Sequence, residues 1–324
     1  MQAFCLTPEP RPQNFYAMSQ SPLKVSANKA ILTQDKFSSK ALELRNYFET
    51  QFANPQSLDT KRFVWDYWNV RDQYRLLRTP AYHYFPDKLY LAFHKELVMW
   101  GRRNLGCWDI SPPWLSCYID NCYQDLHSDV PHGPWAFVYS LSPERPLFRG
   151  GETLVLKDAA LNFWSESPGS RDRELDSFIE RVKPSFNRLV VFDPRRPHGV
   201  RRVEGVDDPM DGRLVIHGWF SQPKTYIEGP LPPARVERLL NQALDRVLNT
   251  LDVPEDLWGT LAVGLSVAKN GRVVKAVYRT QTVKDRWGQV PTALLKKILA
   301  VYARIEFPIA RDATEITLPL IFEP

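Results

Sequence analysis

Three residues of this chain have types and spacing that could do chemistry together: His127 and Asp129, two apart, and His198, in a turn that follows an apolar strand. In extended backbone, residues i and i+2 point to the same side, so the imidazole of His127 and the carboxylate of Asp129 can meet one ion. With His198 as a third ligand, two nitrogens and one oxygen would cover one face of an octahedron. Three positions would stay open, which is the donor set of non-haem iron(II) centres that handle dioxygen. A His-x-Asp pair alone is a common accident, and most such histidines are satisfied surface or core groups.

The surroundings make this pair specific. The strand RLVIHGWF (213–220) carries Arg213, Val215, His217 and Trp219 on one face. A buried arginine beside an open metal site needs a partner charge, because an unpaired guanidinium away from water is costly. The distal carboxylate of 2-oxoglutarate would supply it through a bidentate pair.

Four stretches in this order, HSD (127–129), GGETLVL (150–156), VVFDPRRPHGV (190–200) and RLVIHGWF with its arginine six residues before tryptophan, resemble the Fe(II)/2-oxoglutarate-dependent dioxygenases, in their prolyl 4-hydroxylase-like branch. The resemblance spans roughly residues 40–225. It implies that His127, Asp129 and His198 are the iron ligands and catalytic centre. It also implies that Arg213 grips the distal carboxylate of 2-oxoglutarate, that Tyr139 assists with its hydroxyl, and that Tyr118 lines the same pocket. Arg213 follows His198 by fifteen residues, more than is common in the family. The extra length reads as a turn-rich loop, VEGVDDPMDG (203–212). Arg201 and Arg202 are the substitutes should Arg213 not be the anchor, but the register of Trp219 favours Arg213.

Because Asp129 is a carboxylate, where halogenating relatives carry a small residue, the implied reaction is hydroxylation of an amino-acid or peptidyl side chain. It would be coupled to decarboxylation of 2-oxoglutarate to succinate, with O2 as oxidant and ascorbate as a stimulant. The alternatives are a desaturase-type oxidation of a small-molecule natural product by the same site, or a non-catalytic metal-binding interaction module. His217, Arg195, Arg196 and Trp219 are candidates for the substrate pocket. His217 reads equally as a hydrogen-bonded core histidine, and the cluster Arg195, Arg196, Arg201 and Arg202 as a solvated loop. His132 reads as a turn or pocket-edge residue, Asp193 as turn-forming, and Trp65, Trp68, Trp108, Trp114 and Trp135 mainly as core.

The elements that must position these groups follow from periodicity. Residues 87–106 read as a helix with Leu89, Ala92, Phe93, Leu97 and Trp100 inward and Gly106 as its stop. Beyond it, short segments at 114–118, 135–141, 152–156, 188–192 and 213–220, divided by turn residues, predict an antiparallel sandwich or barrel. Leu175, Phe178, Ile179 and Val182 suggest one interrupting helix. The resemblance makes the fold class α+β: a double-stranded β-helix (jelly-roll) core with flanking helices, plus a small C-terminal α+β domain.

The chain divides into a mobile 1–28 segment, an oxygenase domain (29–228), a linker with an amphipathic helix (229–254) and a small domain (255–324). In the last, Leu261, Val263, Leu265 and Val267 alternate up to the Asn270-Gly271 turn. That segment resembles the α+β domain at the C-terminus of TonB proteins, which implies a protein partner, self-association or a structural cap.

Composition limits the rest. With 44% hydrophobic residues and 24% charged residues the chain is globular, and a net charge of 42 − 37 = +5 is too mild for a nucleic-acid binder by itself. Four cysteines without CxxC pairing read as reduced thiols. No apolar run reaches membrane-spanning length and the N-terminus lacks a signal-peptide pattern, so the expected compartment is the cytoplasm.

Overall fold

The computed structural model describes residues 31–54, 56, 58, 60–129, 132–157 and 178–323. β1 (Ile31–Gln34) precedes α1 (Ala41–Phe52), the hairpin β2 (Asp66–Val70) and β3 (Tyr74–Pro80), the single turn α2 (Ala81–Tyr84) and the long α3 (Asp87–Leu105). Then come β4 (Cys107–Ile110), β5 (Trp114–Tyr118), β6 (Tyr123–His127), β7 (Trp135–Ser140), β8 (Thr153–Leu156), β9 (Ile179–Val182), β10 (Arg188–Phe192), β11 (His198–Val200) and β12 (Arg213–Pro223). These strands join in the order β1-β10-β7-β12-β5-β3-β6-β11-β8-β9, with β2 on β3 and β4 on β12. Every pairing is antiparallel, and the curled sheet is a jelly-roll half-barrel.

Alternation along β12 shows why. Leu214, Ile216 and Phe220 face outward from the barrel's hollow into a core with Leu44 and Phe48 of α1 and Phe93 and Leu97 of α3. Arg213, Val215, His217 and Trp219 take the other face and line the hollow. α3 ends at Gly106 in the left-handed conformation (φ 69°), as its sequence predicts. The helix expected around 175–182 is corrected: Ile179–Val182 is strand β9, paired with β8, while Leu175 lies outside the described residues. A helix-spaced apolar run this short is also compatible with a strand whose neighbours supply pairing. The expected 1–28 segment also lies outside the described residues.

The remaining chain forms β13 (Tyr226–Glu228), α4 (Pro233–Thr250), β14 (Gly259–Val267), β15 (Val273–Gln281), α5 (Thr292–Ala303) and β16 (Thr314–Phe322). Its four strands run β13-β16-β14-β15 around a second core. Val236, Leu240, Ala243 and Val247 of α4 belong to that core, so the helix expected in a linker is part of the second unit; Leu248 of the same helix is exposed. β13, within the stretch assigned to the first domain, pairs with β16.

Among the described residues, the two units touch beside α3 and beside His198. Beside α3, the Thr317 hydroxyl donates to the Arg103 carbonyl at 2.8 Å, and Arg103 forks onto Glu228 at 2.6 and 3.0 Å. The second contact lies next to His198 and is described below.

Candidate metal and co-substrate site

The pairing of β6 with β11 brings the two histidines together. His127 and His198 are direct cross-strand partners, their ring centroids 4.4 Å apart. Asp129, two residues past His127, sits between them, with Oδ1 3.3 Å from His127 Nε2 and Oδ2 3.2 Å from His198 Nε2. One potential ligand atom from each of the three lies within 4.8 Å of the others.

The far side of each ring is also fixed. Nδ1 of His127 donates to the Asp125 carbonyl and Nδ1 of His198 to the Arg196 carbonyl, each at 2.9 Å. A proton held on Nδ1 leaves the Nε2 lone pair facing the centre, the tautomer a metal requires. Burial alone would raise the Asp129 carboxyl, but the His127 and His198 rings, which donate to it from Nε2 when protonated, more than reverse this and hold it well below the usual carboxylate range. An anionic carboxylate between two neutral-capable imidazoles is a donor set that fits a divalent iron.

The trio opens on a cavity of about 570 Å³, within the range that takes a small organic ligand. Arg213 and Tyr118 line the same cavity and are cross-strand partners, the guanidinium carbon 4.7 Å from the tyrosine ring centre. Arg213 is fully buried: Nε donates to the Gly151 carbonyl at 2.7 Å and Nη2 to Thr153 Oγ1 at 3.1 Å, while Nη1 is buried with no partner. Burial lowers its pKa. A cation left with an orphaned donor in a cavity is what a carboxylate-bearing co-substrate would complete. The double glycine serves this anchor: Gly151 has φ +74°, and a Cβ there would come within 2.9 Å of Phe148 and 3.2 Å of the Arg213 side chain.

His217 shares the Arg213 face, its Nε2 2.8 Å from Ser116 Oγ. Burial, and then the Arg213 charge, push it down to about 3, so it is neutral at physiological pH. Trp219 lines the cavity with His132 against its ring at 4.5 Å.

Three expectations are corrected. Tyr139 does not enter the cavity: on β7, Ala136 and Val138 face the hollow, and Tyr139 lies in the outer core, its hydroxyl donating to Asn187 Oδ1 at 3.0 Å. Arg195 and Arg196 do not line the cavity either. Arg195 forks onto the fully buried Asp193 at 2.8 and 2.6 Å, and Arg196 is itself buried, with Nη1 donating to the Leu156 carbonyl at 3.3 Å.

The Asp193 turn reaches further. Asp129 N–H donates to the Pro194 carbonyl at 3.0 Å and Ser128 Oγ to the Arg195 carbonyl at 3.1 Å, so one turn braces both metal-facing segments. From the second unit, Thr282 Oγ1 donates to Asp193 Oδ2 at 3.1 Å, and the Trp258 ring lies 5.7 Å from the Arg195 guanidinium. Sequence reading took Asp193 for a turn former, which it is, but had no means to see Thr282 beside it. It also missed Arg78 in the cavity wall, although the alternation of Tyr74, Leu76 and Arg78 in YRLLRTP was a signal.

Residues 113–221 match the family model described as the 2OG-Fe(II) oxygenase superfamily. This segment is a 2OG-Fe(II) oxygenase domain. The oxygenase match includes the histidine–aspartate trio, Tyr118 and Arg213, and the family's cofactors are Fe(II), 2-oxoglutarate and O2. No curated protein matches the chain. Similar solved structures include a prolyl hydroxylase from Trichoplax adhaerens in complex with a hypoxia-inducible-factor degradation-domain peptide (14% identity, 60% of this chain and 84% of that one, TM-score 0.42). Two others are a Pseudomonas putida prolyl-4-hydroxylase (16%, 60% and 94%, TM-score 0.37) and HygX from Streptomyces hygroscopicus with nickel and 2-oxoglutarate bound (14%, 62% and 86%, TM-score 0.41). Among the described residues, no helix of the oxygenase or of the second unit is long and apolar enough to cross a membrane.

Proposed function

We propose that the chain is a hydroxylase of an amino-acid or peptidyl side chain that consumes 2-oxoglutarate and releases succinate. The observation that carries this reading is the joint occurrence, in one cavity, of the His127–Asp129–His198 cluster and a buried arginine with an unfilled donor. Iron in such a site supplies the oxidising chemistry for an unactivated C–H bond. His127, Asp129 and His198 would hold it through Nε2 and carboxylate oxygens. The protein's own contribution is then positional. Arg213 and Tyr118 orient the co-substrate against the metal, and neutral His217, bonded to Ser116, adds no charge of its own beside Arg213. The walls formed by Val215, Val138 and Trp219 exclude water from the C–H bond being oxidised.

The test is O2-dependent conversion of 2-oxoglutarate to succinate, followed with and without Fe(II). Turnover is expected to require Fe(II) and to vanish in His198→Ala. Substantial turnover in a folded His198→Ala protein overturns the ligand assignment.

A further inference from the structure

Arg213 is not the only cation in the cavity. Arg78 of β3 lies on the same inner face, next to Ser116 of β5 in the sheet, and outside the residues that match the family model. Its guanidinium is clamped between two indoles, resting on the Trp68 ring and 4.1 Å from the centre of the Trp114 ring. Nε is buried without a hydrogen-bond partner, and no carboxylate of a described residue forms an ion pair with it. Burial pulls its pKa below the ordinary arginine value against the opposing fields of Tyr74, Asp66 and Tyr118. Stacking engages the faces of a guanidinium and leaves its in-plane N–H edge free, and that edge is the part that matches a carboxylate. An aromatic clamp therefore presets the orientation of an anion-binding fork and reduces the entropy lost on binding.

We propose that Arg78 is the substrate-recognition cation and that the substrate carries a carboxylate, docked on the Arg78 edge beside the Trp114–His217 row. The inference rests on the reading of Arg213 as the co-substrate anchor. Both carboxylates of 2-oxoglutarate are then accounted for, one at Arg213 and one at the metal, and Arg78 remains for a second anion. The carboxylate has two sources, a free acid or an acidic residue within a peptide.

Matched probes separate them on Mn(II)-loaded protein saturated with 2-oxoglutarate, read by tryptophan fluorescence and by ligand-observed NMR. One arm pairs N-acetylproline and N-acetylleucine with their methylamides. The other pairs the acetylated, amidated tripeptide Ala-Pro-Glu with Ala-Pro-Gln. The expected result is at least a tenfold preference for the carboxylate form in one arm, falling to within twofold in Arg78→Gln and to an intermediate value in Arg78→Lys. Circular dichroism and thermal melting verify that both variants fold. No preference in either arm, or a preference that survives Arg78→Gln, overturns the proposal. The preference is a ratio between paired probes, so it can be scored apart from 2-oxoglutarate affinity. Failure of the wild-type protein to bind 2-oxoglutarate counts against the co-substrate reading instead.

Discussion

Replacing Arg213 by lysine keeps the positive charge and removes the fork. In the wild-type protein Nε and Nη2 are engaged with Gly151 and Thr153, and Nη1 stands free, so the face offered to a carboxylate is the Nη1/Nη2 edge. A lysine ammonium can supply one charge-assisted bond to that carboxylate and loses the second. A hydrogen bond to a charged group contributes roughly 1.5–3 kcal/mol, which corresponds to about a 10- to 150-fold weakening of 2-oxoglutarate binding. Arg213→Met loses the charge and both bonds, for roughly 3–6 kcal/mol and a weakening of at least about 100-fold. Anaerobic calorimetry of 2-oxoglutarate titrated into Mn(II)-loaded protein measures both, and a separate Mn(II) titration should stay within about threefold, because Arg213 touches none of the three metal-facing residues. A folded lysine variant that binds 2-oxoglutarate within about threefold of wild type would refute the assignment of the buried fork to the co-substrate.

Two further outcomes follow from the same geometry. Tyr139→Phe should leave 2-oxoglutarate affinity within about twofold and lower stability by about 1 kcal/mol, since the lost hydrogen bond is to Asn187 in the outer core; calorimetry and denaturant melts report the two effects separately. His217 has a folded pKa of about 3, below its unfolded value, so between pH 6.5 and 3 the unfolded state holds more protons. Stability is therefore lost as pH falls through that window, by at most about 1.4 kcal/mol per pH unit from this residue, and denaturant melts of His217→Gln should show a shallower loss over the same range.

The parts of the site legible in the sequence were those set by local spacing. His127 and Asp129 are two residues apart in extended chain, and Arg213, His217 and Trp219 alternate along one strand, so period-two geometry places each group on a common face before any partner is known. The alternating, turn-divided segments pointed to the antiparallel barrel for the same reason. Tyr139 failed on parity: nothing within WAFVYS states which of its two faces meets the hollow, and the pairing of β7 with β10 and β12 decides it. Arg195 and Arg196 looked exposed because arginines in a turn usually are. Burial of Asp193 under residues some ninety positions later in the chain reverses that expectation, and a single sequence does not report such a contact. Arg78 was missed because its hairpin adjoins the site only through the β3–β5 and β3–β6 pairings.

The hydrogen bond from Thr282 to Asp193 bears on modularity. The family-matched segment stops at residue 221, which invites excision of the oxygenase as a self-sufficient piece. A cut there would take away the hydroxyl and the indole that cover the turn running into His198, opening to water a carboxylate that is fully buried in the whole chain. The second unit thus acts as masonry for the first: a fragment ending at the border that family resemblance draws loses part of the packing on the turn that runs into His198.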